Sequence, residues 1–449
     1  MLISSENINR NFSVAEYCLI FLCFSFCLSG ALLIPVDQCP DEAGRLLLSD
    51  WISTTGRLPT GWEKETVIPG WGFSYALRPY LSAILGAAFK SFVVLFTDSP
   101  RALLAASRMC SVLAITGTCI FCLLLSRLLF VRRSSAVLFA SLVCFLPQLI
   151  FLGMYQNNDS LSLLSVTMML YFMIDGRNRK WSITSCSGLA IAISIGLLSY
   201  YSIYGWIVMC VVFCIVSVLL DDGISDKYAF ILKRVVLISL LCILLAGWFF
   251  IRNYLVHDGD VFGLSSELRS REYFRSFGGV VFDYVSLRDN GLGVVDFFQF
   301  RNYEWIRVTV CSFVGVFGYM NLFLPENQYR CYFSVLAFGV LLALIVFICQ
   351  KKNRKIGLFV LTLVLSVGIT VALHAYQSYA RDYQPQGRYI ISAALLMAYV
   401  IVYGVDRINF SKWQALAKSN ILHPTVVLTL IWLSLFVWAF FGTMIKMIP

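Results

Sequence analysis

The acid chemistry of this chain is concentrated in ten residues, Val36–Arg45 (VDQCPDEAGR). Asp41 and Glu42 stand side by side behind Pro40, with Asp37 before them and Arg45 just after. A positioned carboxylate can take a proton from a hydroxyl, and such general-base help contributes ~100- to 10,000-fold to a rate. The residues directly before, 12–35, form an apolar run long enough to cross a bilayer. The acids therefore emerge at a membrane surface, where charge is costly unless it is solvated, paired or used. The plain alternative is a solvated loop start.

Other polar clusters could share the work. They are Arg78; Asn157-Asn158-Asp159; Arg252-Asn253 with His257; and Arg381, Asp382, Gln386 and Arg388. Each lies at the end of an apolar run or in a loop. A guanidinium can hold a phosphate with two parallel hydrogen bonds. Carboxylates and arginines together are what a hydroxyl needs to displace a phosphate carried on a lipid. No glycine-rich nucleotide loop occurs at a suitable place, so a nucleotide-sugar donor is not expected.

The elements that must position these residues are membrane spans. The chain has 449 residues, 59% of them hydrophobic and 13% charged, against about 25% charged in ordinary soluble proteins. An all-α polytopic membrane protein follows, organised as one integral domain over 1–449. The formal net charge of +10 is explained by basic loops on the cytoplasmic side, not by nucleic acid. The fifteen cysteines sit mostly inside apolar runs, and Cys119-Ile120-Phe121-Cys122 reads as packing, not as a metal or redox pair. The first span, with only Arg10 close before it, reads as an uncleaved anchor.

Apolar runs and basic loops predict about eleven spans: 12–36, 104–130, 136–155 (bent at Pro147), 160–174, 182–201, 203–220, 235–251, 330–349, 356–375, 389–405 and 423–443. Segments 44–56 and 73–96 read as amphipathic helices on the bilayer surface. Segment 307–324 is ambiguous. If it crossed, Lys351-Lys352-Asn353-Arg354-Lys355 would fall outside, against the positive-inside bias, so it reads as re-entrant or peripheral. The outer loops 37–100 and 252–329 then form one active-site face that gathers every polar cluster named above.

In that order along the chain, the motifs resemble those of GT-C fold membrane glycosyltransferases. These include the protein O-mannosyltransferases, the lipid A aminoarabinose transferases and a large bacterial branch of similar proteins. Pro40-Asp41-Glu42 resembles their acidic loop-one motif. Leu77-Arg78-Pro79-Tyr80-Leu81 is similar to the start of their surface helix, with Arg78 in place of the more usual His or Pro. Gln156-Asn157-Asn158-Asp159-Ser160-Leu161 resembles their Asn-x-Asp motif. Trp248–Tyr254, Gln386-Gly387-Arg388-Tyr389 and Ser312–Gly318 are similar to stretches of the bacterial branch, with Val314 where a Trp often stands.

The resemblance implies a GT-C fold and a hexosyltransferase-like enzyme. Its donor would be a polyprenyl-phosphate-linked sugar and its acceptor a lipid-linked glycan, such as O-antigen under assembly. Asp41 would be the base and Glu42 its acidic neighbour. Arg78, Asn158, Asp159, Arg252, Gln386 and Arg388 would bind substrate, with Arg252 and Arg388 at the donor phosphate. Transfer would be inverting, in a bacterial inner membrane, on its periplasmic face. Arg45 stands near where the branch often has a His, so a divalent cation and its ligands are left open. Two other readings remain: an O-antigen polymerase or ligase using polyprenyl-diphosphate glycans, and a lipid or polysaccharide transporter or flippase.

Overall fold

The computed structural model describes residues 11–282, 284–349, 354–407 and 423–448. The chain is helical almost throughout. Helix α1 (Val14–Leu33) opens on a capping box, in which Ser13 and Glu16 satisfy each other's end groups. Pro35 and a 3-10 turn at Val36–Gln38 stop it. Two shorter helices follow, α2 (Glu42–Thr55) and α3 (Leu81–Val93), close to the expected surface segments. Helix α4 (Pro100–Leu129) has 30 residues and so runs ~45 Å, longer than a bilayer's ~30 Å hydrocarbon core.

Beyond it come α5 (Arg133–Cys144) and α6 (Pro147–Met154), bent by 64° at Pro147. Then follow α7 (Asp159–Asn178), α8 (Ile183–Leu197), α9 (Tyr204–Leu219) and α10 (Lys227–Val256). Helices α11 (Leu264–Ser276) and α12 (Val294–Val314) occupy what the sequence presents as a polar loop. A hairpin of β1 (Val316–Phe317) and β2 (Leu322–Phe323) comes next. The rest is α13 (Glu326–Cys349), α14 (Arg354–Ala380), α15 (Ala393–Asp406) and α16 (Pro424–Gly442).

Large apolar side chains stand exposed along α10 and α13, among them Leu240, Ile243, Leu244, Leu341 and Ile345. A soluble monomer rarely shows such a surface; on this multi-pass membrane protein it is the lipid face. Among the described residues, seven helices are long and apolar enough to cross a bilayer, or eight if the bent pair α5–α6 counts as one span. The expected eleven is not reached by that measure: α8 and α15 are too short, and α7, though 20 residues long, is not among the helices apolar enough to pass. Segment 307–324 is the end of α12 followed by the hairpin, and Gly315 ends the helix. It is not one continuous apolar helix. Of the basic run 351–355, on which the inside assignment rests, residues 351–353 and the side chains of 354 and 355 lie outside the described residues, as does the side chain of Asp37.

Cys119 and Cys122 are buried with Cys23, Cys27 and Cys144 between α1, α4 and α5, and none of these forms a disulfide. This is packing, as the sequence predicts. Two carboxylate–guanidinium pairs tie α1 and its exit to α4. Near the start of α1, Arg127 gives Nε and Nη2 to the two oxygens of Glu16 at 3.0 and 2.6 Å. Near the other end, Arg108 does the same for Glu42 at 2.8 and 2.6 Å.

The two polar segments meet at that second end. Arg78 pairs with Glu267 at 2.5 Å, Phe282 N–H donates to Gly70 C=O at 2.8 Å, and Ser270 donates to Gly72 C=O at 3.3 Å. Loops distant in sequence thus form one polar cap over the apolar bundle.

Candidate active site

Asp41 caps the N-terminus of α2 with φ 61° and ψ −5°. Left-handed backbone is uncommon for a residue with a Cβ, though Asp tolerates it better than most. It costs ~1–3 kcal/mol and persists where the surroundings over-determine it. Two neighbours do so here. Glu42, the next residue, is fixed by Arg108. Arg388 donates from Nη2 to Asp41 Oδ2 at 2.5 Å.

Arg388 comes from a 3-10 turn, Gly387–Ile390, ahead of α15. Gly387 lies flat on α12: a Cβ there would stand 2.2 Å from the backbone nitrogen of Phe313. Its N–H donates to Ser312 Oγ at 2.7 Å. The glycine therefore sets how closely the arginine is held. The other terminal nitrogen of Arg388 is 4.0 Å from Asp159 Oδ2, at the start of α7. One guanidinium thus faces two carboxylates that are 118 residues apart in sequence.

The pair is asymmetric. The Arg388 side chain is 3% exposed and that of Asp41 is 32% exposed, so Asp41 is its accessible end. Burial pushes the Asp41 carboxyl up, but the charges of Arg388 and Arg45 and the hydrogen bonds from Arg388 and Tyr75 outweigh it. The carboxyl is held below the usual carboxylate value. Asp41 is accordingly ionised at neutral pH.

Around this centre lie residues beyond those given a role from the sequence. Arg388 Nη2 also donates to the hydroxyl of Tyr389 at 3.0 Å, and that hydroxyl donates to Gln384 Oε1. Tyr389 lies parallel to Tyr200, with centroids 6.1 Å apart. Arg45 lies 4.5 Å over the ring of Tyr75 and is 6% exposed. Among the described residues no carboxylate is in ion-pair contact with Arg45, and its Nε is buried without a hydrogen-bond partner.

The remaining expected site residues fall elsewhere. Glu42 is fully buried; its oxygens take the two bonds from Arg108 and one from Gln156 N–H at 2.8 Å. It faces the protein interior, not the open side of Asp41. Asn158 accepts from Ser82 and donates to Pro79 C=O at 2.9 Å, so it ties α7 to the start of α3. Arg78 is engaged by Glu267. Arg252 donates to Leu58 and Pro59 C=O at 3.1 and 2.7 Å and makes no contact with Asp41 or Arg388. Gln386 lines a cavity of about 550 Å3, together with Arg301, Glu304, Arg307, Tyr383 and Gln384. Through Gln384 that cavity adjoins the hydrogen-bonded chain Tyr389–Arg388–Asp41.

Among the described residues no three His, Cys, Asp or Glu side chains are grouped to hold a metal ion. Between Asp41 and Asp159 the positive charge is already supplied by Arg388.

Arg108 was legible in principle. It stands inside the apolar run 104–130, where a charge must be paired or used, and Glu42 at the preceding helix exit is an acid of the right sign. Nothing in local sequence marks Tyr75 or Tyr200, and Tyr389 shows only as a neighbour of Arg388 in the stretch Gln386–Tyr389.

Comparison with known proteins places this architecture. No family model matches the sequence, and no curated protein matches it. Solved structures do. The apo oligosaccharyltransferase of Archaeoglobus fulgidus is similar with a TM-score of 0.56 and 13% identity, over 94% of this chain and 55% of that one. ArnT from Cupriavidus metallidurans, bound to undecaprenyl phosphate, is similar with a TM-score of 0.56 and 12% identity, over 96% of this chain and 71% of that one. Archaeal AglB in complex with an inhibitory peptide and a dolichol-phosphate has a TM-score of 0.53 and 12% identity, over 94% and 54%. The fold is therefore the GT-C fold of membrane glycosyltransferases. The chain spans just over half the length of the archaeal structures.

Proposed function

We propose that the protein is an inverting glycosyltransferase. It moves a sugar from a polyprenyl-phosphate donor to a hydroxyl of a lipid-linked or cell-surface glycan such as O-antigen, on the periplasmic face of a bacterial inner membrane. One observation carries the reading. Asp41, Asp159 and Arg388 converge at one end of an apolar bundle, with a buried arginine, Arg45, that forms no salt bridge among the described residues and whose Nε has no hydrogen-bond partner. The lipid phosphates seen in two proteins of the same fold support the donor class.

In this mechanism Asp41 takes the proton of the acceptor hydroxyl. The acceptor oxygen attacks the anomeric carbon from the side opposite the phosphate. The bond from that carbon to the phosphate oxygen breaks with its electron pair, and polyprenyl phosphate leaves. Asp41 then gives its proton to solvent. Arg388 holds the carboxylate ionised and aimed. Asp159 is the second acid facing Arg388. The cavity beside Gln384 and Gln386 is where the acceptor glycan enters.

Arg45 meets the phosphate. The charge of Arg45 acts on Asp41, but its buried Nε has no hydrogen-bond partner, and an anion docking beside it would take up that donor. Arg45→Gln should weaken binding of undecaprenyl phosphate in nanodiscs by about 10-fold or more, as expected for losing a hydrogen bond to a charged group. Arg45→Lys should retain part of the affinity. Wild-type affinity in Arg45→Gln would remove Arg45 from the donor site.

The function itself is tested by incubating the purified protein with a panel of polyprenyl-phosphate sugars and measuring released polyprenyl phosphate. Release of polyprenyl diphosphate from diphosphate-linked glycans would instead identify a polymerase or ligase. Turnover of neither class, with translocation in vesicles, would identify a transporter.

A further inference from the structure

We propose that the buried Arg108–Glu42 pair positions Asp41 and Asp159 for the reaction, beyond tying two helices together. This rests on the role given to Asp41 above. Both side chains of the pair are 0% exposed. Arg108 spends its whole fork on the neck between α1 and α2. Nε and Nη2 hold the two oxygens of Glu42. Nη1 donates to Ala31 and Ile34 C=O at 3.1 and 2.5 Å, and Nη2 also reaches Pro35 C=O at 3.3 Å.

Those carbonyls belong to the last turn of α1 and the residues just after it, which no intrahelical donor can satisfy. Glu42 in turn accepts the backbone N–H of Gln156, three residues before Asp159. One guanidinium therefore fixes the end of α1, the first residue of α2 and, through Glu42, the approach to α7. Asp41 is held between the first two and Asp159 follows the third. The rigid planar fork of arginine makes such a multi-point fixture, which a lysine cannot copy.

The protein contains its own control. Arg127 forms the same two-bond pair from the same helix α4, 19 residues further along it, with Glu16 near the start of α1. That is ~28 Å away and far from Asp41. If Arg108–Glu42 only joined helices, removing either pair would have the same kind of effect.

The test compares two double variants in purified protein: Glu42→Gln/Arg108→Met and Glu16→Gln/Arg127→Met. Each removes both charges, so no unpaired buried ion remains. Unfolding midpoint, kcat and donor KM are measured for each, using the donor that supports polyprenyl phosphate release. We expect the Glu16/Arg127 variant to keep kcat within about 2-fold. The Glu42/Arg108 variant should lose at least ~10-fold in kcat, with donor KM changed by less than about 2-fold. Equal kcat in the two would overturn the inference.

Should either double variant fail to fold, Glu42→Asp provides the reading, because it keeps the charge and shifts it by one methylene. A lower kcat at an unchanged unfolding midpoint supports positioning, and an unchanged kcat overturns it. Asp41→Asn is assayed alongside. If Asp41→Asn is inactive while the Glu42/Arg108 variant is normal, positioning fails and the base assignment stands. If Asp41→Asn is active, the base assignment itself fails.

Discussion

Asp41→Asn should lower the rate of sugar transfer by ~100-fold or more, the scale of a lost general base. The substitution keeps size and leaves an amide oxygen to accept from Arg388. Asn also tolerates left-handed backbone well, so the N-cap of α2 should survive. Binding of undecaprenyl phosphate should persist, because that task falls to Arg45. The measurement is kcat and donor affinity on protein matched for monodispersity and unfolding midpoint. Near-normal kcat would remove Asp41 as base, and with it most of the case for a transferase over a polymerase or transporter.

Arg388→Gln should be nearly as damaging, with a different pH signature. In the native protein the Asp41 carboxyl is held below its ordinary value of ~3.9. The acid limb of the rate should therefore lie below about pH 4, and activity should be flat through mildly acidic pH. Without Arg388 the effect of burial dominates and the carboxyl rises. The acid limb then moves upward, so transfer at pH 5 should fall further, relative to wild type, than transfer at pH 8.

Stability follows the same sign. A depressed carboxyl contributes stability above its unfolded value, and this is lost as pH falls through the folded value. In the variant the ionised acids become a net cost at neutral pH, up to ~3–5 kcal/mol for a fully buried ion that loses its partner. Asp41 is open on one side, which reduces its share. A pH–rate profile of Arg388→Gln parallel to wild type would show that Arg388 does not set the ionisation of Asp41. Arg388→Lys keeps the charge but not the fork, and should recover the pH profile better than the turnover.

Much of this architecture is local information. Apolar runs of the right length mark α1, α4, α9, α10, α13, α14 and α16, because a bilayer requires every backbone group to be satisfied within the segment. Pro147 marks the bend between α5 and α6, since a proline withholds a hydrogen bond and clashes with the preceding turn. Amphipathic pattern marks α2 and α3. The acids behind Pro40, the Asp159 cluster and Arg388 are conspicuous for the same reason: charge at a helix exit or in a short loop stands out against an apolar background.

Pairing is what local pattern could not supply. Asp41 and Glu42 are adjacent and chemically alike, yet one is half-open against Arg388 and the other is sealed against Arg108. Which acid turns outward depends on a left-handed residue at the start of α2 and on a guanidinium arriving from α4, 66 residues later. Arg252 and Arg388 look equivalent at their helix ends, yet Arg252 gives Nη2 to the carbonyls of Leu58 and Pro59, with Nη1 buried and without a hydrogen-bond partner, while Arg388 meets Asp41. The helices hidden in the polar stretch after α10 were equally illegible, because α11 is too polar to show a membrane signature. A charge shows in sequence because burying it is costly wherever it falls; its partner is chosen by helices packing across the bundle, and only the tertiary structure brings those residues within hydrogen-bond reach.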